Sequence, residues 1–168
     1  MLPGCCLTAR RDAWLALGGF DQVFFLYWED VELCWRAWLL GWRVVTARQS
    51  WVYHQKGATT TAFGRWDGER TRNSLYTYLK LMRWQIALAY AVRLFIVCCV
   101  KGVRWPILAP DLLKAWAWNI KQFPATMRSR RAIRSRRVGD DRWLEQQIRL
   151  QEQALRKERN QIKSRCYR

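Results

Sequence analysis

The chain is poor in the groups that build metal centres and secreted scaffolds. It holds a single histidine, His54, and its six cysteines include no Cys-x-x-Cys pair, so the spacing of a zinc site is missing. Cys5–Cys6 and Cys98–Cys99 lie in apolar runs and read as small buried thiols, which points to a reducing compartment. No basic leader followed by an apolar run and cleavage site is read at the N-terminus, and a cytoplasmic location is expected. Acidic groups are scarce, 13 against 30 Lys plus Arg, for a net charge of +17. Proline is scarce as well, with four residues in 168, and no internal repeat is visible. Hydrophobic residues make up 51% of the chain, which excludes wholesale disorder.

The charge is uneven. Residues 1–60 carry 6 basic and 5 acidic groups, 61–127 carry 10 and 3, and 128–168 carry 14 and 5. The first third is nearly neutral, and the excess behind it calls for a phosphate-bearing partner. Twelve tryptophans supply large rings that fill a core or line an interface. Residues 86–100 form the most apolar run, but Arg93 sits in its middle and the run is shorter than a bilayer crossing of about 20 residues. It is expected to be an interfacial or packed amphipathic helix.

Short strands are expected at 4–9, 42–46 and 50–54, and helices from Arg10 to Leu17, from Asp30 to Gly41, from near Thr71 to Met82, and over 112–123. Pro106 and Pro110 are expected to break the chain. Gly57 to Gly68, with its three threonines, reads as a loop, and the chain from Met127 onward as a basic helical tail.

The informative stretch is 18–54. Gly18-Gly19-Phe20-Asp21 is followed by Phe24-Phe25, Tyr27-Trp28, Glu29-Asp30, Glu32-Leu33 and Arg36, with Gly41 and His54 beyond. Taken alone, Asp30 reads as an N-cap and Glu32 as a favourable first-turn charge, because a helix N-terminus attracts carboxylates. Asp21 reads as a turn-fixing residue and Arg36 as the partner of a nearby acid. Together, a Gly-Gly turn, an aromatic run and paired acids can form an apolar wall with a carboxylate at its rim, a setting for deprotonating a sugar hydroxyl.

This pattern resembles the C-terminal half of a family 2 glycosyltransferase domain, the rhamnosyltransferase-like branch in particular. Arg10-Arg11, the Gly-Gly-Phe-Asp turn, Phe24-Phe25, Tyr27, Glu29-Asp30, Glu32-Leu33, Arg36, Gly41, His54 and Gly57 carry the resemblance, and Arg72-Asn73 matches the start of the next helix. It implies an α/β fold, the C-terminal half of a GT-A domain over 1–82, followed by amphipathic membrane-surface helices over 83–126 and the basic tail over 127–168. It also implies inverting transfer from a nucleotide-diphosphate sugar to a glycan or lipid-linked acceptor, at the inner face of the plasma membrane. Asp30 would be the general base, Glu29, Tyr27 and Trp28 would bind acceptor, and His54 would help hold Mg²⁺ or Mn²⁺. The family's Asp-x-Asp metal motif does not occur in this sequence, so a donor-binding half, on a separate chain or lost by truncation, is expected to be missing.

A second reading is a non-catalytic basic module. Arg128, Arg130, Arg131, Arg134, Arg136 and Arg137 would grip an anionic membrane or RNA. No nucleic-acid reading element accompanies them, so the membrane is the expected partner.

Overall fold

The structure is a computed structural model that describes residues 6–45, 47, 52–53, 67–150 and 153. Its regular elements are α1 (Arg11–Leu17), α2 (Glu29–Leu39), α3 (Asp67–Leu81), α4 (Trp84–Arg104), a 3₁₀ turn (Pro106–Leu108) and α5 (Ala109–Ser135). A further helical stretch, α6, covers 141–150.

The expected α/β half-domain is not found. Among the described residues there is no strand: 7–10 and 42–45 are non-helical but join no ladder, and the rest of the three expected strand segments lies mostly outside the described residues. A strand satisfies its N–H and C=O groups only through a neighbouring strand, whereas a helix satisfies them within itself. The β-branched character of Val44-Val45 therefore yields no sheet here, and the fold is helical.

Helix α3 is central. It packs along α5 and α4, and α2 lies against it. The shared core takes Val31, Trp35 and Leu39 from one face of α2, Leu75, Tyr78, Leu79 and Leu81 from α3, and Met82 just beyond it. Ala87 of α4 and Leu144 of α6 complete it. Tyr78 stacks flat on Tyr90 at 3.6 Å between ring centres, joining α3 to α4.

Pro110 does not break the chain. It lies in the first turn of α5, where a missing N–H costs nothing. Pro124 lies inside the same helix, beside an exposed Ile120. The Ile120 carbonyl that loses its partner can face water, so the helix tolerates the ring. As a result α5 runs unbroken across 126–127, where a domain boundary was expected.

Nor is the Arg-rich segment simply an appended tail. Arg130 is 3% exposed, donates to the Leu79 carbonyl at 2.7 Å, and lies 4.5 Å over the Trp84 ring. Burial, then the charge of Arg134, lowers its pKa to about 10, so it remains a cation at neutral pH. After α5 the chain returns to α2, where the Val138 and Gly139 N–H groups both donate to the Leu39 carbonyl at 3.0 Å. A Cβ at Gly139 would meet the Trp38 carbonyl at 2.6 Å, so only glycine fits there.

A buried ionic cluster joins α2, α3 and the turn after α1. Lys80 Nζ lies 2.6 Å from both Glu32 Oε1 and Asp21 Oδ2, and Glu32 also holds Arg36. Burial acts to raise Asp21, but the Lys80 charge and the hydrogen bonds from Lys80, the Val23 N–H and Tyr76 outweigh it, and its carboxyl titrates below the ordinary 3.8. Its contribution to stability is therefore complete above pH 3.8 and is lost as pH falls through the depressed folded-state value. Lys80→Ala leaves buried Glu32 and half-buried Asp21 short of a cation and is expected to cost about 3 kcal/mol at neutral pH. Denaturant unfolding should show that loss shrinking once Asp21 is protonated in acid.

Candidate active site

The motif segment folds as a corner between α1 and α2. Gly18 (φ +79°) and Gly19 (φ +68°) end α1, and a Cβ on Gly19 would press on the Trp14 ring at 3.2 Å. Arg36 fixes this turn from α2. Its guanidinium forks onto Glu32 at 2.9 and 2.8 Å and donates to the Leu17 and Gly19 carbonyls, the latter at 2.8 Å. Asp21 Oδ1 accepts the Val23 N–H at 3.0 Å, and Tyr76 donates to Asp21 Oδ2 at 2.7 Å. Burial, then the Asp21 hydrogen bond, raises the Tyr76 phenol far above its usual range, so it stays a donor. Asp21 and Arg36 thus act as turn-fixing and carboxylate-pairing groups.

The backbone then does something costly. Tyr27 (φ +66°) and Trp28 (φ +74°) occupy the left-handed region in succession, which costs a side-chain-bearing residue of order 1 kcal/mol or more each. Asn73 holds them there. It is fully buried, and its Nδ2 donates to the Leu26 and Tyr27 carbonyls at 2.8 Å each. Arg72 Nε donates to Asn73 Oδ1 at 3.0 Å, which fixes the amide's orientation, and Glu69 pairs with Arg72 at 2.7 Å. The Arg70 guanidinium covers the Tyr27 ring at 4.3 Å, while Trp28 packs edge-on against Trp35.

This double left-handed corner delivers Glu29 and Asp30 into the first turn of α2. Trp28, not Asp30, is the N-cap residue, and it caps with no side-chain bond. Asp30 is half-buried, and its Oδ1 accepts the Val31 N–H at 2.7 Å. Glu29 differs: burial, then the nearby Asp30 charge, raises its pKa, and its Oε2 is buried without a hydrogen-bond partner. The two adjacent carboxyls thus sit in unlike surroundings, Glu29 with a buried oxygen that has no hydrogen-bond partner and Asp30 on a main-chain N–H.

The chain brings Tyr27, Trp28, Glu29 and Asp30 together, but Trp28 is turned into the core. His54 lies outside the described residues. Among the described residues no group of three His, Cys, Asp or Glu side chains converges on a metal position. Asp21 and Glu32 already hold Lys80 and Arg36. Nor does Asp30 line the cavities between α3, α4 and α5. One of about 250 Å³ between α3 and α5 is lined by Glu69, Arg72, Lys114 and Trp118, among others, and shares Arg72 with the clamp.

Sequence reasoning passed over Tyr76, Lys80 and Glu69. A signal was present: Asn73, Tyr76, Thr77 and Lys80 recur at helical spacing, and all four are buried. Asn73→Ala removes both clamping bonds, and about 2 kcal/mol of destabilisation is expected. Amide hydrogen exchange at residues 27–30 should accelerate more than exchange in the α3–α5 core; uniform acceleration would show that Asn73 has no specific hold on the corner.

No family model matches the chain, and no solved structure matches it. Among curated proteins, it is similar to N-acetylglucosaminyl-diphospho-decaprenol L-rhamnosyltransferase from two strains of Mycobacterium tuberculosis, 42% identical over 59 residues in each case. The matched segment is 35% of this chain and spans about a fifth, 19%, of each relative's length. The similarity is partial, and at this level it supports a link to glycosyltransferases.

Proposed function

We propose that this chain is the acceptor-side part of a glycosyltransferase that moves a sugar from a nucleotide-diphosphate donor to a lipid-linked acceptor. The observation that carries the reading is the strained Tyr27-Trp28 corner, clamped by Asn73, which fixes a pair of unlike carboxyls at a helix start. Strain of this kind persists only where surrounding structure enforces it, and it concentrates at working sites. The partial similarity to a rhamnosyltransferase supports the same class.

In this proposal the Asp30 carboxylate takes the proton from the acceptor hydroxyl as that oxygen attacks the anomeric carbon. The bond from that carbon to the diphosphate oxygen breaks, its electron pair leaves with the nucleoside diphosphate, and the carbon inverts. Glu29, held towards its neutral form by burial, hydrogen-bonds the acceptor, and Tyr27 borders it. Donor binding is assigned to no described residue.

Asp30→Asn keeps the side chain's shape and removes the base. In extracts where the full chain is expressed with a donor-binding half, transfer from a nucleotide-diphospho-rhamnose is expected to drop about 100-fold or more, with acceptor KM little changed. Undiminished transfer would remove Asp30 from the chemistry.

We also propose that α4 and α5 rest on the cytoplasmic face of an anionic membrane. Helix α4 has 21 residues, and its most apolar 18-residue window has a mean hydropathy of 2.0 with only 11% of it buried, so by length and composition it is able to cross a bilayer. Its neighbours argue that it lies flat. Phe95 packs on Trp116, and Trp84 lies beside Phe123, so α5 accompanies α4 along its length. Spanning would draw Arg93, Lys114 and Lys121 into hydrocarbon. Lying flat puts Leu88, Val92, Phe95, Ile96 and Val103, all exposed, into the interface. Exposed Lys114, Lys121 and Arg128 recur along α5 to meet phosphates. The double variant Val92→Glu/Ile96→Glu is expected to cut co-sedimentation with phosphatidylglycerol vesicles about tenfold or more; tight RNA binding with no vesicle binding would reverse the assignment.

A further inference from the structure

The cavity of about 250 Å³ between α3 and α5 is lined by Gly68, Glu69 and Arg72 of one helix and by Asp111, Lys114 and Trp118 of the other. The helices come closest where Gly68 lines it. A Cβ there would meet the Asp111 carbonyl oxygen at 3.0 Å and the Asp111 Cβ at 3.1 Å, so glycine permits the approach. A cavity of about 150 Å³ takes a benzene molecule. This one is roomy enough for a single six-membered ring with its substituents.

Its polar side chains are within reach of a ligand. Lys114 is exposed, Asp111 and Trp118 are half-buried, and Arg72 and Glu69 keep 18% and 30% of their side-chain surface. Glu69 pairs with Arg72 at 2.7 Å, and the Arg72 guanidinium lies 5.0 Å from the Trp118 ring centre. Asp111 and Lys114 stand three residues apart on α5 and so on one face of it. Among the described residues neither forms an ion pair or a side-chain hydrogen bond. One acceptor and one donor are therefore left open beside an indole.

The charge balance selects a ligand class. The lining carries two cations and two carboxylates, so an anion drawn to Arg72 and Lys114 also meets Glu69 and Asp111, and a cation meets the reverse. A hydroxyl both donates and accepts. Neighbouring hydroxyls on one ring are able to donate to Asp111 and accept from Lys114, while the C–H groups of the ring pack on Trp118. We infer that this cavity is a binding site for a neutral polyhydroxylated six-membered ring, a pyranose or a cyclitol, held between Asp111 and Lys114. Such a ring arrives as a soluble glycan or as a lipid head group, and the chemistry is the same for both. The inference goes beyond the proposed transfer reaction and does not rest on it.

The test titrates the full chain, without donor or vesicles, with myo-inositol and the methyl glycosides of glucose, galactose and mannose, read by amide chemical shifts. At least one polyol is expected to shift residues 68–72 and 111–118 with a dissociation constant of about 1 mM, ordinary for a ligand of this size. Methoxycyclohexane (a similar ring without hydroxyls), inorganic phosphate and the zwitterion phenylalanine should each bind about tenfold or more weakly. The double variant Asp111→Ala/Lys114→Ala is expected to weaken the polyol about tenfold or more. Should that variant lose its cooperative thermal unfolding, Lys114→Ala alone takes its place. No polyol bound, shifts confined to other residues, binding unchanged by the variant, or tighter binding of any of the three controls would each overturn the site. Phosphatidylglycerol vesicles with and without glucosyl diacylglycerol then identify the source. Extra sedimentation with the glycolipid, lost in the variant, marks a head group; none marks a soluble glycan. No sugar is transferred in these measurements, so their outcome is separate from that of Asp30→Asn.

Discussion

Glu32 is fully buried and carries a charge, and much of the motif region is arranged around that fact. A carboxylate out of water must be met by cations and hydrogen bonds or it becomes neutral. Arg36 meets it from one turn along the same helix, and Lys80 meets it from α3. Both cations then spend their remaining donors on the chain before α2, Arg36 on the Leu17 and Gly19 carbonyls and Lys80 on Asp21. The Gly-Gly-Phe-Asp turn is thereby tied to two helices through one buried acid. Apolar side chains of similar volume could fill that space with equal or better stability, but they would not fix where the turn sits.

A second polar device, Asn73, does for residues 26–28 what Glu32 does for 17–21. Each is a buried side chain on a helix that dictates the path of a segment with no regular structure of its own. That segment then enters α2 with its two leading acids in unlike surroundings, Glu29 pushed towards its neutral form and Asp30 half-exposed beside a main-chain N–H.

Local patterns were legible in the sequence, and non-local ones were not. The helices over 11–17 and 29–39 follow from their glycine stops and from the spacing of Val31, Trp35 and Leu39, and the roles of Asp21 and Arg36 follow from common turn and pairing chemistry. The expected strands failed because a four-residue apolar run says nothing about whether a neighbour exists to pair with it. Helix α5 exceeds the expected 112–123 because the arginines after Met127 look like a separate tail, yet Arg130 is buried over Trp84. The left-handed Tyr27-Trp28 corner was invisible: neither residue favours that conformation, and its cause, Asn73, lies 46 residues away from Tyr27 in the chain. Helix α4 exceeded the apolar run that announced it, because Lys101 and Arg104 extend it past the last hydrophobic residues and Lys101 is anchored on Asp67 at 2.6 Å.

The flat stack of Tyr78 on Tyr90 has a mechanical consequence. It couples α4 to the same helix whose Asn73 grips the corner before α2, with no flexible connector between the two contacts. Residues 73 and 78 belong to one continuous helix, so a tilt of α4 carried through the ring stack would reach the Tyr27-Trp28 corner as a rigid lever, undamped by any loop.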